Sequence, residues 1–201
     1  MSRKYSYKII SKLDVLPVSL DLFKKHLKLP PDYTDDDEYL TLLIESAASF
    51  FEEYTGRTLI NTTYKTFRDY FITNFRLRES KLQSVEFVKY YYDNVLTELD
   101  ATNYYFTDSD NYSDIVFTYL PEKTDTRLQA IEIQFVAGYG INDSYVPKDI
   151  QLAIMQYANL MFENRGDCDD TVIQSKDFLP NNARLLYDNY RIYDIAPYNY
   201  E

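Results

Sequence analysis

The chain has 201 residues, 45% of them apolar, and a formal net charge of −11, which suits one large domain, or a domain carrying an insertion, with a packed core. An acidic surface repels phosphate and so argues against a groove built to grip nucleic acid. A single cysteine, Cys168, excludes an intrachain disulfide and a Cys-based metal cluster. No apolar run approaches the roughly 20 residues that span a bilayer, so no membrane is expected as a partner. The first residues lack the apolar centre of a signal peptide, and the expectation is a soluble protein, intracellular when made.

The charge is uneven. Residues 1–28 hold seven basic against two acidic residues, a local charge of +5, which leaves −16 for the rest. Such an asymmetry can steer a basic arm of one subunit onto the acidic face of another, or be a solvated arm. Tyrosine is abundant, 22 residues against no tryptophan, as suits both strands and surfaces that become buried on assembly.

In chain order, a short helix is predicted from Ser19 to Lys28. Ser19 caps it, Leu20, Phe23 and Leu27 share one face, and Pro30 and Pro31 end it. A polar loop precedes a longer helix over Asp36 to Tyr54. Its apolar stripe is Leu40, Leu43, Ile44, Ala47, Phe51 and Tyr54, with Thr34 or Asp35 as cap and Gly56 as a left-handed stop. Strands are predicted at Thr62–Phe71, Val85–Tyr92, Ile115–Tyr119 and Gln129–Val136. In the last, Ile131, Ile133 and Phe135 face one way. Asp93-Asn94 reads as a turn, and 107–114 and 122–127 as loops. Gly138 and Gly140 form a glycine turn, and Pro147 opens a helix with the stripe Ile150, Ala153, Ile154, Tyr157 and Met161 that stops at Gly166. An acidic loop leads to a last short helix, Pro180 to about Tyr190, and a tyrosine-rich tail.

Helices, then strands, then helices predict an α+β plan. The expectation is one domain over 1–201: a small helical bundle (about 14–57 and 146–190), an inserted antiparallel β region (about 58–140) and an extended C-terminal tail (about 188–201). The two long helices are expected to pack together. Gly56, Gly138, Gly140, Pro147 and Gly166 are the turns that define this fold.

The residues offer little chemistry. His26 is the only histidine, without an evident partner to make it a base. Asp167 and Asp169 flank Cys168 and blunt it as a nucleophile. Asp108, Asp110 and Asp114 have the start of a calcium-loop spacing, but Ser113 and Tyr119 stand where glycine and glutamate belong. Gly138-Tyr139-Gly140 lacks the third glycine of a dinucleotide fingerprint. Basic and aromatic residues interleave over Tyr64–Arg78, as on a single-strand nucleic-acid binder or, more simply, on core strands. No catalytic, metal or cofactor-binding residues are expected, and no cofactor.

Several short motifs occur in a telling order: Val18-Ser19-Leu20, the helix end Glu52-Glu-Tyr-Thr-Gly-Arg-Thr-Leu59, the strand Ser84–Asp93, then Ala137-Gly138-Tyr139-Gly140, Val146-Pro147, Ile150 and Glu163-Asn164-Arg165. Over about residues 14–190 the chain thereby resembles the head–tail connector (adaptor, head-completion) proteins of tailed bacteriophages. The resemblance implies a structural protein of the virion neck without enzymatic activity, assembled in the host cytoplasm. It implies a twelvefold ring of the protein with itself, bound to the portal protein and to the next neck or tail component. Double-stranded DNA would pass through the lumen without sequence-specific binding. Terminal segments of such proteins dock the portal, which here points to Tyr187, Tyr190, Tyr193, Tyr198 and Tyr200 as portal-docking or inter-subunit residues. Another neck or tail-completion ring protein, and an acidic inhibitor that mimics DNA, stand as alternatives.

Overall fold

The computed structural model describes residues 7–77, 81–109, 112–122, 124–165 and 180–192. The fold is α+β, and the chain divides into two compact units. Residues 15–57 and 142–201 make a helical unit; residues 1–14 and 58–141 make a β unit.

In the helical unit, α1 (Leu20–His26) and α2 (Asp37–Thr55) precede the β unit in the chain; α3 (Lys148–Glu163) and α4 (Asn181–Tyr190) follow it. Ser19 caps α1, its hydroxyl accepting from the Leu22 N–H at 3.4 Å. Asp36, rather than Thr34 or Asp35, stands at the N-cap of helix α2, and no side chain caps its first N–H groups. The acidic Asp37 and Glu38 sit in its first turn, where the helix dipole favours them. Gly56 ends α2 at φ 72°, the left-handed stop that a residue without Cβ adopts freely.

Helices α2 and α3 pack together, and α4 lies against both. The buried faces follow the helical period: Leu40, Leu43, Ile44, Ala47 and Phe51 on α2, and Ile150, Ala153, Ile154 and Ala158 on α3. Two buried polar residues secure the short connections. Lys24, only 4% exposed, pairs with Asp37 at 2.5 Å and so ties α1 to the start of α2. Gln151 is buried and donates to the Pro17 and Asp143 carbonyls at 3.2 and 2.6 Å while accepting from Lys148. Its amide is therefore satisfied on both sides, as a buried polar group must be.

The β unit contains β1 (Tyr7–Lys12), β2 (Thr62–Arg68), β3 (Asn74–Leu77), β4 (Leu82–Tyr92), β5 (Val95–Glu98), β6 (Tyr104–Asp108), β7 (Ser113–Phe117) and β8 (Ile131–Ala137). They form a five-stranded sheet of order β1-β2-β8-β4-β5 and a three-stranded sheet of order β3-β7-β6. Every pairing is antiparallel. One hydrophobic cluster draws on both sheets, with Phe75, Leu77, Ile115 and Phe117 from one and Val88, Ile131, Ile133 and Phe135 from the other. Strand β8 shows why its sequence alternates: Ile131, Ile133, Phe135 and Ala137 are buried, and the residues between them are half-buried.

Three findings depart from the sequence reading. Residues 7–12, part of the basic arm, form a strand paired with β2. Of the predicted loop 107–114, Thr107 and Asp108 belong to β6 and Ser113 and Asp114 to β7, and the Ser109 N–H donates to the Tyr112 carbonyl between them. The short strands β3 and β5 were not anticipated, because four residues are too few to display a period.

The ends of the β unit's main segment lie side by side. Ile60 and Gly140 form a parallel bridge, with the Asn61 N–H donating to the Gly140 carbonyl at 2.9 Å and the Tyr139 N–H to the Leu59 carbonyl at 3.1 Å. Gly138 permits this approach. Its φ is 145°, and a Cβ there would meet the Asn61 nitrogen at 2.7 Å and the Ile60 carbonyl carbon at 2.8 Å. At Gly56 a Cβ would make only an ordinary contact, with the Ile192 Cβ at 3.8 Å. Gly138→Ala is therefore expected to cost more than ~2 kcal/mol in denaturant unfolding, because backbone must move. Gly56→Ala should cost about 1 kcal/mol, the left-handed penalty alone.

Candidate assembly surfaces

The sequence candidates for chemistry are placed in structural roles. His26 stacks on Phe23 at 6.4 Å between ring centroids. Asp108 accepts from the Ser113 hydroxyl at 2.6 Å and the Lys81 N–H at 3.1 Å, so it stabilises the β6–β7 hairpin. Asp114 pairs with Arg76 at 3.1 Å. Asp110 and Cys168 lie outside the described residues, and among the described residues no three metal-ligating side chains gather. Within the basic and aromatic stretch 64–78, Arg78 lies outside the described residues, and Lys65, Arg68 and Arg76 are engaged within the subunit. Lys65 pairs with Glu132 at 3.3 Å, the Arg68 guanidinium lies 3.9 Å over the Phe75 ring, and Arg76 lies 4.0 Å over Tyr112. These are the contacts of paired strands, and they occupy the cations that a nucleic-acid strand would need.

The candidate docking tyrosines divide. Tyr187 is fully buried on α4, its ring edge-on to Phe51 at 4.9 Å and beside Phe50 and Tyr54. It belongs to the helical core, not to an open surface, because α4 lies against both α2 and α3. Burial pushes its phenol well above the ordinary tyrosine range. Tyr190 is half-buried and donates to Asp149 at 2.6 Å, and its ring lies 5.5 Å from the Arg57 guanidinium. Tyr193, Tyr198 and Tyr200 lie outside the described residues, as does Gly166. Of the other turn residues, Gly140 is buried in its bridge to Ile60, and Pro147 precedes the first turn of α3 with its carbonyl accepting from Gln151.

Helix α4 is fastened to α2 at its C-terminal end. Tyr54 donates to Asp188 at 2.5 Å, which raises the Tyr54 phenol pKa through that hydrogen bond and then through burial. Beyond the helix, the Ile192 N–H donates to the Thr55 carbonyl at 2.8 Å. At the other pole of the unit, Asp36 accepts from Tyr33 at 2.7 Å and from Arg165 at 3.2 Å, and these hydrogen bonds hold its carboxyl below the usual range.

What the sequence did not reveal are the sheet edges. Ile9 and Ile10 on β1, and Val95 and Leu96 on β5, are exposed apolar residues on outer strands. Their signal is weak in a sequence because an exposed strand and a core strand share the same β-branched composition.

The fold and sequence can be set beside known proteins. Residues 17–132 match the family described as phage gp6-like head-tail connector protein. That is more than half of the chain, which belongs to this family. Membership makes it a structural component of the head–tail junction of a phage-like particle. Solved structures share the fold over nearly the whole length. A chain in the neck of an empty gene transfer agent (GTA) particle computed with C6 symmetry has a TM-score of 0.75 at 18% identity, covering 96% of this chain and 98% of that one. A chain in the virion of the native GTA particle gives 0.74 at 18% identity, with 95% and 97% covered. One from the native neck computed with C12 symmetry gives 0.71 at 18% identity, with 96% and 98% covered. No curated protein matches the chain in sequence.

Two outcomes are expected from the tyrosine cluster. Tyr187→Ala should lower stability by about 3–5 kcal/mol, whereas Tyr187→Phe, which keeps the ring and removes a buried hydroxyl, should change it by less than about 1 kcal/mol. The pH dependence follows from the sign of the shifts. Tyr54 and Tyr187 have folded pKa values above the unfolded value of 10.0, so their neutral forms stabilise the fold fully below pH 10. That contribution is lost as the pH rises through the raised folded values. Ultraviolet titration should show tyrosines ionising late and together with unfolding, in a step that Tyr187→Phe diminishes.

Proposed function

We propose that the protein forms a ring beneath the portal, joins the DNA-filled head to the tail, and encloses the conduit through which double-stranded DNA passes. The observation that carries this reading is the family match, supported by a fold shared end to end with chains of particle necks computed with C6 and C12 symmetry. A twelvefold ring is the assembly favoured here. The net charge of −11 suits a conduit, since an acidic wall repels DNA and lets it slide. The partners are further copies of the chain, the portal protein and the next neck or tail component. The role is mechanical, and no cofactor is assigned to it.

Portal docking is assigned to the segment carrying Tyr193, Tyr198 and Tyr200. Tyr187 is committed to the helical core, and the half-buried Tyr190 has its hydroxyl held by Asp149. A chain ending at Ile192 retains α4 and the bond from Ile192 to Thr55, so it isolates the tail from the fold. That truncation should keep the melting temperature and weaken binding to purified portal by about tenfold or more, the loss of a few buried aromatic anchors. Unchanged binding would reject the tail as the docking element. Particles made without the protein should package DNA but fail to retain it or to acquire tails; normal infectious particles would reject the connector role itself. A monomer that instead binds and inhibits a DNA-processing enzyme would favour the DNA-mimic alternative.

A further inference from the structure

The order of the five-stranded sheet leaves β1 and β5 on its outer edges. Both edges carry consecutive exposed apolar side chains: Ile9 and Ile10 are 57% and 44% exposed, Val95 and Leu96 62% and 40%. Single exposed apolar residues are ordinary, but an outer strand with two in succession is a template for another strand. The two edges differ in charge. Residues 7–12 contain Lys8 and Lys12 and no acid, whereas residues 93–100 contain Asp93, Glu98 and Asp100 and no base. Two β1 edges repel each other, two β5 edges repel each other, and only the unlike edges attract. A contact between two different patches of the same chain is heterologous, the kind that builds rings.

We propose that the β1 edge of each subunit pairs with the β5 edge of the next, so that the five-stranded sheets join into one continuous circular sheet. The occupant of each edge is a second copy of this chain, and the proposal rests on the ring reading above. The direction of the new pairing follows from parity. All neighbours within the sheet are antiparallel and the strands number five, so β1 and β5 run the same way in one subunit. In a ring of many subunits adjacent copies differ by a small rotation, which keeps β5 and the next β1 nearly aligned. The junction is therefore a parallel pair, although every pair of neighbouring strands described inside the subunit is antiparallel. In that alignment Lys8 lies towards the Asp93 end of β5 and Lys12 towards Glu98, and Ile10 comes level with Leu96.

The test reverses one edge at a time. One variant carries Lys8→Glu with Lys12→Glu, the other Asp93→Lys with Glu98→Lys. Each is supplied alone, or both together, to cells that produce the particles but lack the wild-type chain, and copies per particle are counted. Each alone should be incorporated about tenfold less than wild type, because like charges now meet at every junction. Together they should recover to within about twofold, since alternating copies restore unlike edges at every junction. Recovery also shows that both variants fold. Undiminished incorporation of either variant alone would overturn the edge pairing, and so would failure of the mixture when both variants melt like wild type. Should a variant misfold, Ile10→Cys with Leu96→Cys in a Cys168→Ser background decides: oxidised particles should yield a ladder of linked chains that neither single cysteine gives. A ring without that ladder overturns the pairing alone, whereas wild-type particles whose necks hold no ring of this chain overturn the ring reading itself.

Discussion

The close approach of two chain segments at Gly138 is the constraint on which this architecture depends. A β unit placed within a helical sequence must begin and end at nearly the same point, or it would force apart the helices that flank it in the chain. Here the outgoing segment at Leu59–Asn61 and the returning one at Tyr139–Gly140 are joined by backbone hydrogen bonds. The closeness leaves no room for a Cβ at position 138. Glycine is scarce in this chain, four residues in all, and one of them is spent on that contact. The same position anchors the start of β4, since the Gly138 N–H donates to the Lys81 carbonyl and its own carbonyl accepts from Gln83.

Within each unit the polar chemistry is directed inward, at geometry. Gln151 and Lys24 secure helix connections, Asp125 accepts from both N–H groups of the tight turn at Asp93 and Asn94, and Asp69 holds the Gln129 N–H. Several positive side chains lie over aromatic rings, among them Arg127 over Tyr91 and Arg165 over Tyr39. Such contacts are modest singly and serve to fix long side chains in place.

Much of this was legible in the sequence where a long period existed. The stripes of α2 and α3 named most of their buried residues, because a helix of four or five turns repeats its pattern enough times to be seen; Tyr54, Tyr157 and Met161 are half-buried instead, and Met155 and Ala158 were missed. Gly56 announced a helix end for a steric reason that does not depend on context. The β unit was harder. Its long central strand β8 alternated clearly, but β3 and β5 are four residues each, and β6 is exposed along most of its length. Strand β1 hid within a basic segment because lysine on an outer strand faces solvent and leaves no apolar rhythm. Tyr187 misled for a related reason: tyrosine serves equally in a core and at an interface, and only the packing of α4 decides between them.

The bond from Ile192 to Thr55 gives the helical unit a load path. The chain leaves the last described residue directly beside the C-terminal turn of α2, not from a free helix end. A pull on the residues that follow is borne first by that single backbone hydrogen bond. It then passes to α4, which is held through the Tyr54–Asp188 and Tyr190–Asp149 bonds and the buried Tyr187 ring. Tension would thus spread over α2 and α3 together before any helix peels away.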